Sequence, residues 1–334
     1  QRYADLAVHP DVREVFRLRA RAVRVMRSFL DRHGYLEVET PVLQPLYGGA
    51  AARPFVTRYE ALDATFYLRI ADELYLKRCI IGGLEKVYEI GHDFRNEGMD
   101  RWHNPEFTMA EWYEAYADYR AMAELTETML AEVVTELFGH TALERHGVPL
   151  SFAPPFARQD FAALVQATAG VNLATATEQD LRDALRRRQV PDPDTLSGAK
   201  LLDEVFKHYV EPTLVQPTFV LDYPIALSPL AKTKPDDSTK VERWELFVLG
   251  REIANAFSEL NDPDEQRRRF EQQARFRTAG DAEAHPPDED FLRALEYGMP
   301  PTGGVGLGID RLLMILTEQP SIRDVILFPM LRPV

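Results

Sequence analysis

Apolar residues recur at helical spacing over residues 12–33, between many arginines, and Gly34 follows them. This spacing predicts an amphipathic helix that ends at the glycine. Residues Tyr35–Thr40 then alternate between apolar and polar side chains up to Pro41, which is typical of a strand. Three more helices are predicted from the same spacing, over 121–138, 177–188 and 199–210.

Other stretches of the chain have the alternation or composition of strands. They lie at 66–70, 86–97, 105–116, 244–249 and 305–309. Strands that pair through hairpins, with helices outside them, predict an α+β fold with an antiparallel sheet rather than a doubly wound parallel sheet. Residues 120–210 are predicted to form a mainly helical insertion. Since no stretch has the composition of a linker, residues 1–334 are interpreted as one domain.

Composition narrows the class of protein. The chain has 334 residues, of which 45% are hydrophobic and 28% are charged, as in ordinary globular proteins. It has no apolar run of about twenty residues that would span a membrane, and Gln1–Asp5 do not begin a signal peptide. Because Cys79 is the only cysteine, we expect no internal disulfide and a cytoplasmic location. The net charge of −14 disfavours a broad nucleic-acid surface but allows a local basic patch.

The stretch 86–116 places charged and aromatic side chains on two adjacent strands. With a period of two, one face of this hairpin carries Glu89, Asp93, Arg95, Glu97, Phe107, Met109, Glu111 and Tyr113. An arginine fork beside carboxylates and rings suits a polar ligand that has an aromatic ring. The alternative is a solvated hairpin whose charges simply face water.

A second hairpin is predicted around Leu249–Gly250, which would place Glu252 opposite Phe247. Glu245 would then lie on the same face, near Glu252. Two such carboxylates either bind a cation between them or stand apart in water. Asn255 differs in parity from Glu252, so both reach one site only if a bulge intervenes.

Several segments, in order along the chain, resemble class II aminoacyl-tRNA synthetases, and specifically the lysyl-tRNA synthetases. FRNEGMDRWHNPEFTMAEWY is similar to motif 2 (about 86–116), and GVGLGIDRLLM is similar to motif 3 (about 304–320). GYLEVETPVL and the helix before it resemble motif 1 (about 12–43), the dimerisation element. Further similar segments are YGGAAARPF, YLRIADELYLKR, GREIANAFSELND and the C-terminal IRDVILFPMLRP.

This resemblance implies an ATP site. Arg95 and Arg311 are the implied catalytic residues, and Arg95 binds both the α-phosphate and the amino-acid carboxylate. The adenine lies between Phe107 and Arg311, which both favour flat contact with a ring. The other residues implied in ATP binding are Glu97 and Asn104 at the adenine edge, His103 at the terminal phosphates, and Glu245. Mg²⁺ is implied on Glu245 and Glu252, since it prefers carboxylates and phosphates. No histidine spacing in the sequence indicates zinc.

The resemblance also implies a lysine pocket. Its residues match Gly49, Glu73, Arg95, Glu111, Tyr113, Asn255, Phe257 and Glu259. Glu73 and the Gly49 backbone match positions that receive the α-amino group. In isolation, Glu259 could equally cap a turn with Asn261–Pro263. The chain has Ala254 and Ala256 where the family mostly has glycine, which adds two methyl groups near the pocket.

The implied reaction is the activation of L-lysine by ATP to lysyl-adenylate, followed by transfer to the 3′ end of tRNA(Lys), in a homodimer. Two alternatives remain. One is a ligase that attaches a lysine-type group to a protein such as elongation factor P. It gains weight because the family usually carries an N-terminal OB-fold domain that reads the anticodon, and this chain begins close to motif 1. The other is a synthetase-like binding module without catalysis, which the presence of the motif arginines and glutamates disfavours.

Overall fold

The computed structural model of the chain describes residues 1–228, 230–278 and 287–330. Its helices are α1 (Arg2–Val8), α2 (Pro10–Arg32), α3 (Glu73–Ile81), α4 (Tyr119–Phe138), α5 (Phe161–Ala169), α6 (Glu178–Arg187), α7 (Gly198–Tyr209), α8 (Pro263–Thr278), α9 (Glu289–Gly298), α10 (Ile309–Leu316) and α11 (Ile322–Val325). Its strands are β1 (Leu36–Glu37), β2 (Leu43–Gln44), β3 (Val56–Tyr59), β4 (Ala64–Leu68), β5 (Lys86–Phe94), β6 (Glu106–Ala115), β7 (Ala142–Arg145), β8 (Val148–Ser151), β9 (Ala157–Asp160), β10 (Thr218–Leu221), β11 (Arg243–Val248), β12 (Arg251–Ser258) and β13 (Thr302–Gly308).

The central feature is an eight-stranded sheet in the order β1-β5-β6-β13-β12-β11-β10-β9. The six inner strands pair antiparallel throughout, and only the outer pairs β1–β5 and β9–β10 are parallel. Helices flank this sheet. The predicted α+β fold with an antiparallel sheet is therefore confirmed.

The alternation along the inner strands separates the core from the cavity. On β6, Ala110 and Trp112 belong to the main hydrophobic core, which also contains buried residues of α2, α4 and α10. The residues between and beside them, such as Met109, Glu111 and Tyr113, line a cavity on the other face. Because side chains alternate across a sheet, one strand can supply both the core and a polar site.

The predicted mainly helical insertion contains strands that the sequence analysis missed. Helices α4, α6 and α7 lie within about two residues of their predicted bounds, whereas α5 was not predicted. However, β7 and β8 form a small hairpin, and β9 joins the edge of the main sheet. Each has only four residues, and β9 reads Ala-Arg-Gln-Asp, so no apolar alternation marks it. The predicted strand over 35–40 is reduced to the two residues of β1.

A second, three-stranded sheet in the order β2-β4-β3 lies next to motif 1 in the sequence. Within the described ranges, no helix has both the length and the apolar character needed to cross a membrane.

Candidate active site

The cavity on the polar face of the main sheet has a volume of about 360 Å³. Every predicted site residue except Glu245 contributes to its wall. These residues are Gly49, Glu73, Arg95, Glu97, His103, Asn104, Phe107, Glu111, Tyr113, Glu252, Asn255, Phe257, Glu259 and Arg311. They come from the neighbouring strands β6 and β12, from the segments that follow β5 and β12, from helices α3 and α10, and from the loop between β2 and β3. The fold thus brings together residues that are more than two hundred positions apart in the sequence.

The motif 2 hairpin pairs β5 with β6 so that the residues of the two predicted strand faces lie opposite one another. Glu89 pairs with Glu111, and Asp93 pairs with Phe107. The pairing continues past the strand ends, because the backbone N–H of Arg95 donates to the carbonyl of Pro105 at 2.8 Å. The Arg95 guanidinium lies over the Phe107 ring, 4.9 Å from its centroid. This places a forked cation and a flat ring side by side at the cavity.

Arg311 lies in the first turn of the motif 3 helix α10 and lines the same cavity. Its Nη1 donates to Glu252 Oε2 at 3.2 Å, and its Nη2 lies 3.2 Å from His103 Nε2. The neighbouring Asp310 does not pair with it. That buried carboxylate accepts from Arg19 Nη1 at 2.5 Å and from the Thr108 N–H at 2.7 Å. Asp310 therefore joins α10 to α2 and β6, while Arg311 faces the site.

The second hairpin turns at Leu249 and Gly250, both of which have positive φ angles of 52° and 68°. Phe247 pairs with Glu252 as predicted, and Glu245 pairs with Asn255. The register shifts between Leu246 and Phe247, so Ile253 is an extra residue on β12. This is the bulge that the parity of Glu252 and Asn255 requires.

Arg243 connects the two parts of this hairpin. Its Nε donates to Asn255 Oδ1 at 3.0 Å, and its Nη2 pairs with Glu245. Tyr223 also donates its hydroxyl to Glu245, at 2.6 Å. Glu245 therefore lies just behind the cavity wall, one side chain away from it.

Three carboxylates meet at the buried end of the cavity, from Glu73, Glu111 and Glu259. Tyr113 donates its hydroxyl to Glu111 at 3.2 Å. Burial raises the pKa of Glu259 to about 8, against the opposing effect of a nearby Lys77 ammonium. A cationic ligand at this end would favour the ionised carboxylates.

The family model of the class II tRNA synthetases (D, K and N) matches residues 1–332. The chain belongs to the class II tRNA synthetases. This confirms the class that the motifs predicted. Of the similar C-terminal segment, residues 331–333 lie outside the described part of the structure.

The names of several relatives of this synthetase include a substrate. A protein of Chloroflexus aurantiacus named lysine--tRNA ligase is 56% identical over 99% of this chain and 68% of its own length. One of Moorella thermoacetica with the same name is 56% identical over 100% of the chain and 68% of its own length. A third lysine--tRNA ligase, from Bacillus subtilis, is 51% identical over 99% of this chain and 67% of its own length. The chain thus spans about two thirds of these relatives.

The two alanines that depart from the family pattern lie in the core of this synthetase. Ala254 and Ala256 are buried and pack in the main hydrophobic core, although Ala254 also borders the cavity. Their cross-strand partners, Leu307 and Val305, belong to the same core. Asn255 and Phe257, of the opposite parity, line the cavity. The added methyl groups therefore fill space behind the sheet.

The chemistry of the Glu245 and Glu252 pair fits a divalent cation. Burial, with repulsion from Glu252 and an opposing effect of Arg243, raises the pKa of Glu245 to about 7. A cation near both carboxylates would remove this repulsion, and Mg²⁺ typically takes one or two carboxylates plus substrate phosphates. The part of the chain that the structure describes has no cluster of three or more such ligands.

Sequence reasoning missed three charged residues around the site, Lys77, Arg243 and Asp310. Arg243 stands two residues before Glu245. Because alternate residues of a strand share a face, its position on the same face as Glu245 could have been predicted. Lys77 stands four residues after Glu73 on a helix, a spacing that allows an ion pair. The other partners, Glu259 and Arg19, are distant in sequence, and only the fold shows those contacts.

Proposed function

We propose that this synthetase activates L-lysine with ATP and transfers it to the 3′ end of tRNA(Lys). The observation that carries the proposal is the group of three carboxylates at the buried end of the cavity, Glu73, Glu111 and Glu259. A site of this charge suits a substrate with two ammonium groups, and it repels the side chain of aspartate. The names of the relatives agree with this assignment.

In the proposed complex, the lysine side chain extends along Tyr113 and Phe257 toward these carboxylates, and Glu73 with the Gly49 backbone receives the α-amino group. Gly49 has a φ of +90°, and a Cβ there would lie 3.1 Å from the Cβ of Glu73. Glycine thus lets the backbone pass close to the base of the Glu73 side chain.

For ATP, we propose that Phe107 and Arg311 cover the two faces of the adenine, with Glu97 and Asn104 at its edge. Asn104 donates its side-chain N–H to the Glu106 carbonyl at 2.6 Å. Its Oδ1 is buried, and among the described residues it has no hydrogen-bond partner. This acceptor is available to an amino group of the base.

The lysine carboxylate would attack the α-phosphorus in line and release pyrophosphate. It is already ionised, so no protein base is needed, and catalysis consists of positioning and charge neutralisation. Arg95 would bind the carboxylate and the α-phosphate, His103 would bind the terminal phosphates, and Arg311 over the adenine would add positive charge. Glu245 and Glu252 would hold Mg²⁺, which when bound supplies positive charge to the phosphates.

The acceptor separates this proposal from its first alternative. Labelled lysine, ATP and the full-length protein are incubated with tRNA(Lys) in one reaction and with elongation factor P in another. We expect the label on tRNA only. Label on the protein factor and none on tRNA would refute the proposed acceptor. A failure to bind ATP would instead support a module without catalysis.

We further propose that residues 1–334 act as one catalytic domain in a cytoplasmic homodimer. Large apolar side chains are exposed on motif 1 and the small sheet beside it: Leu36, Val42, Leu43, Val56 and Leu62. Such a patch is typical of a protein interface. Sedimentation that gives the mass of a single chain at micromolar concentration would refute the dimer.

A further inference from the structure

A lysine side chain is fully buried behind the proposed lysine site. Lys77 of α3 has 0% of its surface exposed. Its Nζ lies 2.5 Å from Glu73 Oε1 and 2.5 Å from Glu259 Oε2. These are two of the three carboxylates at the end of the cavity, and Lys77 itself does not line the cavity.

Apart from these two carboxylates, the surroundings of Lys77 would suit an apolar residue. Its helix packs on β5 and β6 and buries Leu74, Leu76 and Ile80. A buried ammonium has a large desolvation cost, which only well-placed carboxylates offset. An apolar side chain at this position would avoid the desolvation cost, so the charge of Lys77 is expected to serve the neighbouring site.

Two carboxylates face Lys77 directly, Glu73 on the same helix and Glu259 after β12. On β6, Glu111 and the Tyr113 hydroxyl lie close to these carboxylates. Burial raises the pKa of all three carboxylates, and Asp93 and Glu73 repel Glu111. Lys77 opposes this for Glu73 and Glu259 and fixes both carboxylates by direct contact.

We propose that Lys77 is a positioning residue for lysine binding, which orients Glu73 and Glu259 and matches the charge of the site to the substrate. This rests on the proposed function. With lysine bound and all three carboxylates ionised, their charge and that of Lys77 sum to minus two, which is equal and opposite to the two ammonium groups of the substrate. Without Lys77, the carboxylates repel one another more strongly, which favours their protonated form and weakens substrate binding.

The test compares Lys77→Met with the wild type in lysine-dependent exchange of pyrophosphate into ATP. We expect the KM for lysine to rise by about tenfold or more, since one carboxylate is lost as an ammonium acceptor. The KM for ATP should stay within about twofold, because the ATP site is built from other residues. Because Lys77 opposes the raised pKa of Glu73 and Glu259, its loss should move the rise of lysine affinity with pH to a higher pH than in the wild type.

Two further variants separate charge from packing. Lys77→Arg keeps the cation and should restore part of the affinity for lysine. Lys86→Met is the matched control: it removes a lysine of β5 that pairs with Glu114 outside the cavity, and it should leave both KM values unchanged. If Lys77→Met does not fold, Lys77→Gln keeps a hydrogen-bond donor without the charge and gives the same comparison.

An unchanged KM for lysine, or an equal rise of both KM values with no shift of the pH dependence, would overturn the role of Lys77. Either result would leave the proposed function intact, since the wild-type enzyme would still depend on lysine. If the wild-type enzyme shows no lysine-dependent exchange, the proposed function fails and the inference fails with it.

Discussion

Gly304 of β13 lies directly against the carboxylate of Glu259 and the ring of Tyr113. A Cβ at this position would be 2.1 Å from Glu259 Oε1 and 2.4 Å from Tyr113 Cε1. Neither group can retreat freely, because both are buried. The close packing of the proposed lysine site therefore depends on a residue without a side chain.

Gly304→Ala should therefore damage lysine binding. We expect the KM for lysine in pyrophosphate exchange to rise by about tenfold, because the displaced side chains lose their contacts with the substrate. Gly306→Ala on the same strand is the control. Its Cβ would meet the flexible end of Met109 at 3.1 Å, so the rise should be much smaller. Equal effects of the two substitutions would contradict this account of the pocket.

At the residue scale, the sequence predicted which side chains share a strand face but not all of their partners. The parity of Arg95, Phe107, Glu111 and Tyr113 placed them on one wall. The roles of these residues in binding ATP and lysine remain predictions. Lys77 could not be found in this way, because its contact with Glu259 depends on how α3 packs against the sheet.

At the scale of elements, the motif 3 helix α10 is held to the motif 1 helix α2 by one buried ion pair. Arg19 of α2 pairs with Asp310 at 2.5 Å, and the Asp310 side chain is only 3% exposed. Asp310 precedes Arg311, so this pair also helps to fix the position of the arginine that we propose to be catalytic.

Arg19→Met should lower the free energy of unfolding by about 3 kcal/mol, because it leaves a buried carboxylate without its cation. Arg17→Met, on the same helix but with a side chain 69% exposed, should change it by less than about 0.5 kcal/mol. Urea denaturation of both variants measures the difference. Similar values for the two would mean that the Arg19 pair does not hold these helices together.

Several long elements were predicted from the sequence, but helices α8 and α9, of 16 and 10 residues, were not, and neither were the shortest strands. Helix α2 and strands β5, β6 and β13 show clear periodicity over seven or more residues. The bulge on β12 followed from the conflict of parity between Glu252 and Asn255, and the structure confirms it. Strand β9 is polar and four residues long, so its place at the sheet edge depends on the tertiary pairing with β10.

At the scale of the whole molecule, buried acids make stability depend on pH. Burial, then repulsion from Asp93 and Glu111, raises the pKa of Asp72 to about 10 against the attraction of the buried Arg69 guanidinium 2.9 Å away. In the unfolded chain, an aspartate releases its proton near about pH 4. Between these values the fold retains a proton that the unfolded chain has lost, so stability falls as the pH rises, by at most about 1.4 kcal/mol per pH unit.

Asp72→Asn should flatten this dependence, since an amide has the shape of the protonated acid and does not titrate. Unfolding free energies between about pH 5 and about pH 9 should fall less for the variant than for the wild type. Asp11→Asn, at an exposed position of α2, should keep the slope of the wild type. A wild-type slope in the Asp72 variant would show that this carboxyl does not hold the proton.

The central claim is that the cavity of this class II synthetase activates lysine. Its most direct test is the exchange of labelled pyrophosphate into ATP by the wild-type protein, with lysine, aspartate or asparagine supplied separately. The three carboxylates at the buried end, Glu73, Glu111 and Glu259, predict exchange with lysine and none above background with the other two. Exchange that depends on aspartate or asparagine, without a response to lysine, would contradict the account.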